Sequence, residues 1–198
     1  STDLRDKRLR SSVLLTQGNE NILIDCGPDF RQQMLAHQID FVDAILLTHE
    51  HYDHVSGLDD VRPMGELVVY AEKRVLDSIV HNMPYCFGEK KYKGVPEFSL
   101  NEISEAPFRI KRKWNFLPVR MHHSFLPVLG FRIDNFCYLT DFNHIEEKEI
   151  AKLQGLDVLV VDALRISGHP SHLSLQEALA LIEKTDARQV YLTHLSHD

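Results

Sequence analysis

Short apolar runs separated by turn residues dominate the hydrophobic pattern of this chain. Residues 11–16 and 21–25 flank Gly18 and Asn19, an arrangement that predicts a β-hairpin. The other short apolar runs predict strands at residues 44–48, 67–70, 108–110, 117–121, 129–133, 136–139, 158–161 and 190–193. Residues 83–104 contain two prolines and two glycines and are expected to form a loop.

Apolar positions at helical spacing predict three helices, at residues 72–81, 145–153 and 175–184. The last should place Ala178, Leu179 and Ile182 on one face, and Ser174 with Glu177 forms the S-x-x-E pattern of a capping box at its start. Strands dominate the first part of the chain and alternate with helices later. This order predicts a layered α/β fold in a single domain spanning residues 1–198.

Composition and charge narrow the class of protein. A hydrophobic content of 43% and a charged content of 26% are ordinary for a soluble globular domain, and no apolar run approaches the roughly 18 residues of a membrane span. The net charge of −7 disfavours a nucleic-acid binder with a broad basic face. Three sparse cysteines, Cys26, Cys86 and Cys137, suggest buried free thiols in a reducing cytoplasm.

Candidate chemistry is concentrated in residues 46–54, which read L-L-T-H-E-H-Y-D-H. In extended backbone, residues two apart point the same way, so His49 and His51 can bind one metal ion together. Asp53 and His54 follow a turn into a short helix, expected through residues 57–61, and should point elsewhere. This spacing favours two adjacent metal sites over one.

Three later residues can supply the missing ligands. His123, Asp141 and His194 each come after an apolar run, as His49 does. Polar residues at four strand ends predict one metal-binding edge. His37, His81 and His144 fit no such position and are interpreted as surface or packing residues.

The segment T-H-E-H-Y-D-H resembles the H-x-H-x-D-H signature of the metallo-β-lactamase superfamily. Further segments resemble the family in its own order, namely LIDCGPDF, HSFLPVLGFRI, YLTD, HPSHLSLQEAL and YLTHLSH. The resemblance implies a four-layer αβ/βα sandwich, which this chain would represent truncated at both ends. It also implies a dinuclear centre.

The family pattern assigns the ligands of that centre residue by residue. The first ion would be held by His49, His51 and His123, and the second by Asp53, His54 and His194, with Asp141 bridging the two ions. The spacing to the Pro of L-P-V-L-G selects His123 over His122. Imidazole and carboxylate ligands suit Zn²⁺ first, with Mn²⁺ or Fe²⁺ as alternatives.

Within the superfamily, the third metal histidine distinguishes several activities. Glyoxalase II enzymes and true β-lactamases carry a glycine-containing segment there, whereas this chain reads M-H-H-S. The H-S-x-x-P-x-x-G-F pattern resembles tRNase Z and the PhnP group, which opens cyclic phosphates such as phosphoribosyl 1,2-cyclic phosphate. Asp141 follows His123 by only 141 − 123 = 18 positions, too few for the tRNA-gripping arm of tRNase Z.

The resemblance therefore implies a PhnP-like phosphodiesterase that hydrolyses a small phosphodiester, cyclic ones included. The alternatives are a tRNase Z-like endonuclease that processes tRNA 3′ ends and a non-catalytic metal-binding module. Nucleic acid and membrane are not expected partners, and a homodimer is common in the family.

The expected mechanism is attack on phosphorus by a hydroxide held between the ions. Asp53 would orient that nucleophile, and His172 is expected to protonate the leaving oxygen without binding metal. His169 is interpreted as a turn residue, and Asp25 is left open between orienting a ligand histidine and stabilising a turn. His197 resembles the last ligand of a structural zinc site whose cysteines lie upstream in the family.

Overall fold

The computed structural model describes residue 3 and residues 6–197, and it divides into two compact units with the boundary between Ile103 and Ser104. Each unit contains its own β-sheet and its own helices. The mixed α/β class predicted from the sequence is confirmed. That residues 1–198 act as a single domain stays a prediction.

The sheet of the first unit has five strands in the described residues, ordered β1-β2-β3-β4-β5. These strands are β1 (Val13–Gln17), β2 (Glu20–Ile24), β3 (Ala44–Leu46), β4 (Glu66–Ala71) and β5 (Glu97–Glu102). The predicted hairpin is confirmed, because β1 and β2 pair antiparallel and Gly18 takes the positive φ of 63° that a tight turn needs. The other three pairings are parallel.

Helical segments of the first unit pack against this sheet. They are α1 (Phe30–His37), α2 (Tyr52–Val55), a 3₁₀ helix (Ser56–Met64), α3 (Lys73–Asn82) and α4 (Pro84–Phe87). Phe30 of α1 and Val75 of α3 belong to the same buried cluster as Leu23, Ile45 and Val69 of the strands. This core holds the ends of β2 and β3; Asp25 follows β2, and the candidate ligands of this unit follow β3.

The prediction of a loop over residues 83–104 is wrong. Pro84 starts α4, a position that tolerates proline because the first amides of a helix lack an intrahelical acceptor. β5 lies at the sheet edge and is only half buried, so its apolar signal is weak. Helix α1 was not predicted for a similar reason, since only Phe30 and Met34 face the core.

The sheet of the second unit has seven strands in the described part of the chain. They are β6 (Phe108–Ile110), β7 (Trp114–His123), β8 (Leu126–Ile133), β9 (Phe136–Leu139), β10 (His144–Ile145), β11 (Val158–Asp162) and β12 (Gln189–Thr193). The order is β10-β7-β8-β9-β11-β12, with β6 pairing to β7. β7, β8 and β9 form an antiparallel meander, and β9, β11 and β12 run parallel.

The helices of the second unit are α5 (Glu147–Ile150), a 3₁₀ turn (Ala151–Leu153) and α6 (Leu175–Ile182). The predicted capping box at α6 is confirmed: Ser174 N donates to Glu177 Oε2 at 2.8 Å, and Glu177 N donates to Ser174 Oγ at 3.3 Å. The predicted face is partly wrong. Ala178 and Leu181 are buried, whereas Leu179 is 49% exposed.

Every helix described is short; α3, for example, has ten residues. In the described chain, none combines the length and apolar character needed to cross a membrane.

The three cysteines are free and buried, as predicted. Burial raises the pKa of each thiol, to about 12 for Cys137. They are therefore protonated thiols at neutral pH and behave as small apolar side chains.

Candidate metal centre

The first unit gathers three imidazoles after β3. His49 is fully buried, His51 immediately precedes α2, and His54 lies buried within α2. The ring centroid of His49 is 4.6 Å from that of His51 and 4.3 Å from that of His54. Asp53 Oδ2 lies 3.5 Å from His54 Nε2. The helix begins earlier than predicted, at Tyr52, so Asp53 and His54 are helical residues.

Asp25 contacts both the turn and a histidine of the candidate group. At the end of β2, with a positive φ of 62°, its Oδ1 accepts from Thr48 N at 2.9 Å and fixes the turn. Its Oδ2 accepts from His54 Nδ1 at 2.8 Å. A buried carboxylate that holds the Nδ1 proton of a histidine fixes the ring and directs Nε2 away, which is a common support for a metal ligand.

Hydrogen bonding also defines the tautomer of His49. Thr48 Oγ1 donates its single proton to Asp25, at 3.0 Å, so this oxygen must accept from His49 Nδ1, at 2.9 Å. His49 and His54 are therefore both held as Nδ1–H tautomers. Each presents the Nε2 lone pair, the form in which imidazole binds a metal.

Two glycines allow the loop after β2 to approach the histidine segment. A Cβ on Gly27 would lie 2.1 Å from the backbone oxygen of Asp53, and one on Gly57 would lie 2.2 Å from the oxygen of Gly27. The contact is fixed by Cys26 N, which donates to His54 O at 2.8 Å. The D-C-G turn therefore brings Asp25 to His54.

The second unit gathers its own ligand candidates at the ends of β7, β9 and β12. His123 ends β7, Asp141 is buried just after β9, and His194 follows β12. Asp141 Oδ2 lies 3.3 Å from His194 Nε2. Asp141 and His194 have positive φ values of 54° and 59°. Such conformations are uncommon for residues other than glycine, and they cluster at functional sites.

His123 is anchored through Nδ1, as His49 and His54 are. Its Nδ1 lies 2.8 Å from the carbonyl oxygen of Ser171, and a carbonyl can only accept, so Nδ1 carries the proton. The neighbouring His122 instead lies against His144, with ring centroids 6.0 Å apart. The geometry thus brings His123, and not His122, to Asp141.

His172 is buried among these candidates. Its ring centroid lies 4.5 Å from that of His123 and is stacked 4.8 Å from that of His194. Its Nε2 is 4.0 Å from Asp141 Oδ2. The ring is therefore placed where it can donate a proton or bind an ion.

Sequence reasoning missed Asp162. This fully buried carboxylate ends β11, and its Oδ2 lies 3.2 Å from His172 Nδ1 and also accepts from Leu173 N at 3.2 Å. The signal was present, because Asp162 directly follows the apolar run of residues 158–161 just as Asp141 follows β9.

The donor sets fit divalent transition-metal ions. Within the second unit, one ligand atom from each of His123, Asp141 and His172 lies within 4.8 Å of the others, and the same holds for Asp162, His172 and His194. Neutral imidazoles anchored through Nδ1, together with carboxylates, are ligands that Zn²⁺ and other divalent transition-metal ions prefer.

Four of the remaining histidines lie at the surface, and His169 lies beside His172, with ring centroids 5.2 Å apart. His37, His81, His144 and His197 are exposed. His169 Nδ1 accepts from Ser171 N at 3.4 Å, consistent with a turn residue. Partial burial, together with the neighbouring His172, lowers the pKa of His169. A structural zinc site involving His197 stays a prediction.

Comparison with known proteins agrees with these observations. Residues 20–195 match the family model described as "Beta-lactamase superfamily domain". A crystal structure of a diphosphatase from the PhnP family superposes with a TM-score of 0.92 at 35% identity, covering 100% of this chain and 77% of that one. The short form of human tRNase Z superposes with a TM-score of 0.73 at 20% identity, covering 95% of this chain and 86% of that one, and this likeness concerns the fold alone.

A protein of Porphyromonas gingivalis named octanoyltransferase is 43% identical to this chain over 203 residues. The match covers all of this chain but 41% of that protein. This chain therefore spans about two fifths of the length of that protein.

Proposed function

We propose that this chain, which belongs to the metallo-β-lactamase superfamily, is a metal-dependent phosphodiesterase that hydrolyses small phosphodiesters, cyclic ones included. The observation that carries the proposal is the shared anchoring of four histidines through Nδ1, namely His49, His54, His123 and His172. This arrangement orients imidazoles for metal chemistry. The 35% identity to a diphosphatase of the PhnP family supports phosphoryl chemistry.

The proposed ligands are those that the family pattern implies. His49, His51 and His123 would hold the first ion, Asp53, His54 and His194 the second, and Asp141 both. Zn²⁺ is proposed first, with Mn²⁺ or Fe²⁺ as alternatives. When bound, the ions would supply an activated water and positive charge for the phosphoryl oxygens.

The side chains of the protein supply orientation and proton transfer. Asp53, whose Oδ2 lies 3.5 Å from His54 Nε2, would accept a hydrogen bond from the attacking water and orient it. His172, held through Nδ1 by Asp162, would donate a proton from Nε2 to the leaving oxygen. It lies two residues before the cap of α6, and a helix N-terminus favours a phosphate nearby.

The substrate is proposed to be small because Asp141 follows His123 by only 18 positions, which leaves no room for a tRNA-gripping arm. A tRNase Z-like endonuclease and a non-catalytic metal-binding module are the alternatives. The diphosphatase relative favours a second candidate substrate class, in which the bond cleaved joins two phosphates.

Acyl transfer, which the name of the Porphyromonas gingivalis relative describes, has less support. A thiol nucleophile would have to be accessible and ionised, whereas the cysteines here are buried and their pKa values are raised.

The free thiols instead support our proposal of a reducing, cytoplasmic location. A homodimer is proposed from the family resemblance.

A substrate panel tests the proposal. It would contain bis-p-nitrophenyl phosphate, a 2′,3′-cyclic nucleotide, phosphoribosyl 1,2-cyclic phosphate, ADP-ribose, a tRNA precursor and a cephalosporin. We expect turnover of small phosphodiesters that is abolished in His51→Ala and retained in His144→Ala. Efficient cephalosporin hydrolysis without phosphodiester turnover would overturn the proposal, and efficient cleavage of the tRNA precursor would establish the endonuclease instead.

A further inference from the structure

The loop between β7 and β8 is a two-residue turn, formed by Ser124 and Phe125. His123 at the end of β7 pairs with Leu126 at the start of β8, which leaves only these two residues between the strands. Ser124 has a positive φ of 58°, as two-residue hairpin loops require and as few residues other than glycine adopt. The turn is therefore sharply defined and directly follows a proposed metal ligand.

Side-chain and backbone hydrogen bonds fix this turn in the second unit. Ser124 N donates to Asn143 Oδ1 at 2.8 Å, and Asn143 Nδ2 donates to Pro170 O at 2.9 Å. His123 Nδ1 donates to Ser171 O at 2.8 Å. The hairpin tip is thus tied to the segment that carries His172, and is not a free loop end.

Phe125 projects from this fixed turn with 99% of its surface exposed, the largest value among the exposed large apolar side chains described. Single exposed apolar residues are ordinary on a protein surface. Here, however, the turn is held in an unusual backbone conformation beside the ligand group, and the aromatic ring lies entirely in water. Covering the face of such a ring with a ligand is favourable, because apolar surface is removed from water.

We propose that Phe125 determines substrate specificity by stacking on a planar heterocycle of the substrate, such as a nucleobase. This inference rests on the proposed function, because it places the base on the same molecule as the scissile phosphodiester. Stacking on an aromatic ring accepts any base, since every base has a π face. The substrate class is then a nucleoside phosphodiester of small size, with purines preferred over pyrimidines for their larger rings.

Ligand binding tests this without relying on turnover. Adenosine 5′-monophosphate and ribose 5-phosphate would be titrated calorimetrically into the wild-type protein and into Phe125→Ala, Phe125→Tyr and Leu179→Ala. We expect the wild type to bind the nucleotide roughly tenfold or more tightly than the base-free phosphate. Phe125→Ala should lose this preference with ribose 5-phosphate affinity unchanged, whereas Phe125→Tyr should restore it. Leu179→Ala removes another exposed apolar side chain, on α6, and should behave as the wild type.

Equal affinity of the wild type for the two probes, or a preference that survives in Phe125→Ala, would overturn the inference. Sedimentation of the same variants tests whether a second copy of the chain occupies this position instead. A dimer that dissociates in Phe125→Ala, with the nucleotide preference intact, would show that a second copy packs on the ring. A different result would contradict the proposed function. Nucleotide binding through Phe125 without hydrolysis of any phosphodiester would overturn the hydrolase and retain the stacking.

Discussion

At the scale of single residues, four histidines of the candidate groups are held by an oxygen atom beside Nδ1. His49, His54, His123 and His172 each have an oxygen partner at Nδ1 between 2.8 and 3.2 Å. The exposed His37, His81 and His144 lie outside these groups. The sequence identified the ligand candidates through their positions at strand ends, but it could not identify most of the partners. Ser171 binds His123 through its backbone carbonyl, and because every residue has a carbonyl, the sequence does not identify this partner.

His51 gives the most direct test of the metal assignment. Protein purified without chelator should contain about two transition-metal ions per chain by elemental analysis, since a dinuclear centre is proposed. His51→Ala should lower the content to about one ion or fewer, whereas His144→Ala, at an exposed position, should leave it unchanged. Full occupancy in His51→Ala would remove this residue from the ligand set.

His172→Ala separates proton donation from metal binding. A well-placed general acid contributes about 10²–10⁴-fold, so kcat for a substrate with an alkoxide leaving group should fall by that amount while metal content stays full. The loss should be smaller for bis-p-nitrophenyl phosphate, because p-nitrophenolate leaves without protonation. Asp162→Asn keeps the imidazole but removes its carboxylate partner, and a smaller fall of about 10-fold is expected.

Two results would argue against the general-acid role. Loss of metal in His172→Ala would make His172 a ligand, which its 4.0 Å distance to Asp141 also allows. An equal loss of kcat for both leaving-group types would show that protonation of the leaving oxygen is not what His172 supplies.

At the scale of elements, the sequence predicted those with strong periodicity or turn chemistry. The hairpin around Gly18 and the capped helix α6 are confirmed, because turn residues and a capping box are local signals. β5 and α1 were missed because each buries few apolar side chains, and only the tertiary structure shows that β4 pairs with β5. Leu179 was misplaced because a short helix does not define its buried face by periodicity alone.

The cap of α6 should contribute measurably to stability. Ser174→Ala removes a side-chain acceptor at the helix N-terminus and should lower the free energy of unfolding by about 1 kcal/mol at pH 7. Urea denaturation would measure this. Ser167→Ala, at an exposed loop position, should change the free energy by less than about 0.5 kcal/mol.

The same cap has a defined pH dependence. Hydrogen bonds from the hydroxyl and amide of Ser174 lower the pKa of Glu177 below its usual value. A carboxylate with a lowered folded-state pKa stabilises the fold above its unfolded pKa, and the contribution is lost as pH falls through the folded value. The effect of Ser174→Ala should therefore shrink as pH falls below about 4. An effect that stays constant with pH would show that ionised Glu177 has no part in the cap.

At the scale of the whole molecule, the metallo-β-lactamase fold predicted from the signature segments is confirmed by the family match and the PhnP-family structure. Four of the seven proposed ligands lie within residues 49–54, and the other three lie at positions 123, 141 and 194. Sequence order could not show which strand ends meet in each sheet. The family resemblance, and not periodicity, supplied that information.

Metal binding should raise thermal stability because the anchored ligands exist only in the folded chain. Free Zn²⁺ at about 1,000 times its dissociation constant stabilises the folded state by about 4 kcal/mol, which for a chain of this length raises Tm by roughly 10 °C. Thermal unfolding would be compared between chelator-treated protein and the same protein reloaded with Zn²⁺. His144→Ala should show the full shift and His51→Ala a smaller one. Asp25 and Ser171 hold His54 and His123 in place in the folded chain, so an ion bound there must stabilise the fold. Identical Tm values for the metal-free and the reloaded wild type would therefore contradict a metal centre built from these residues.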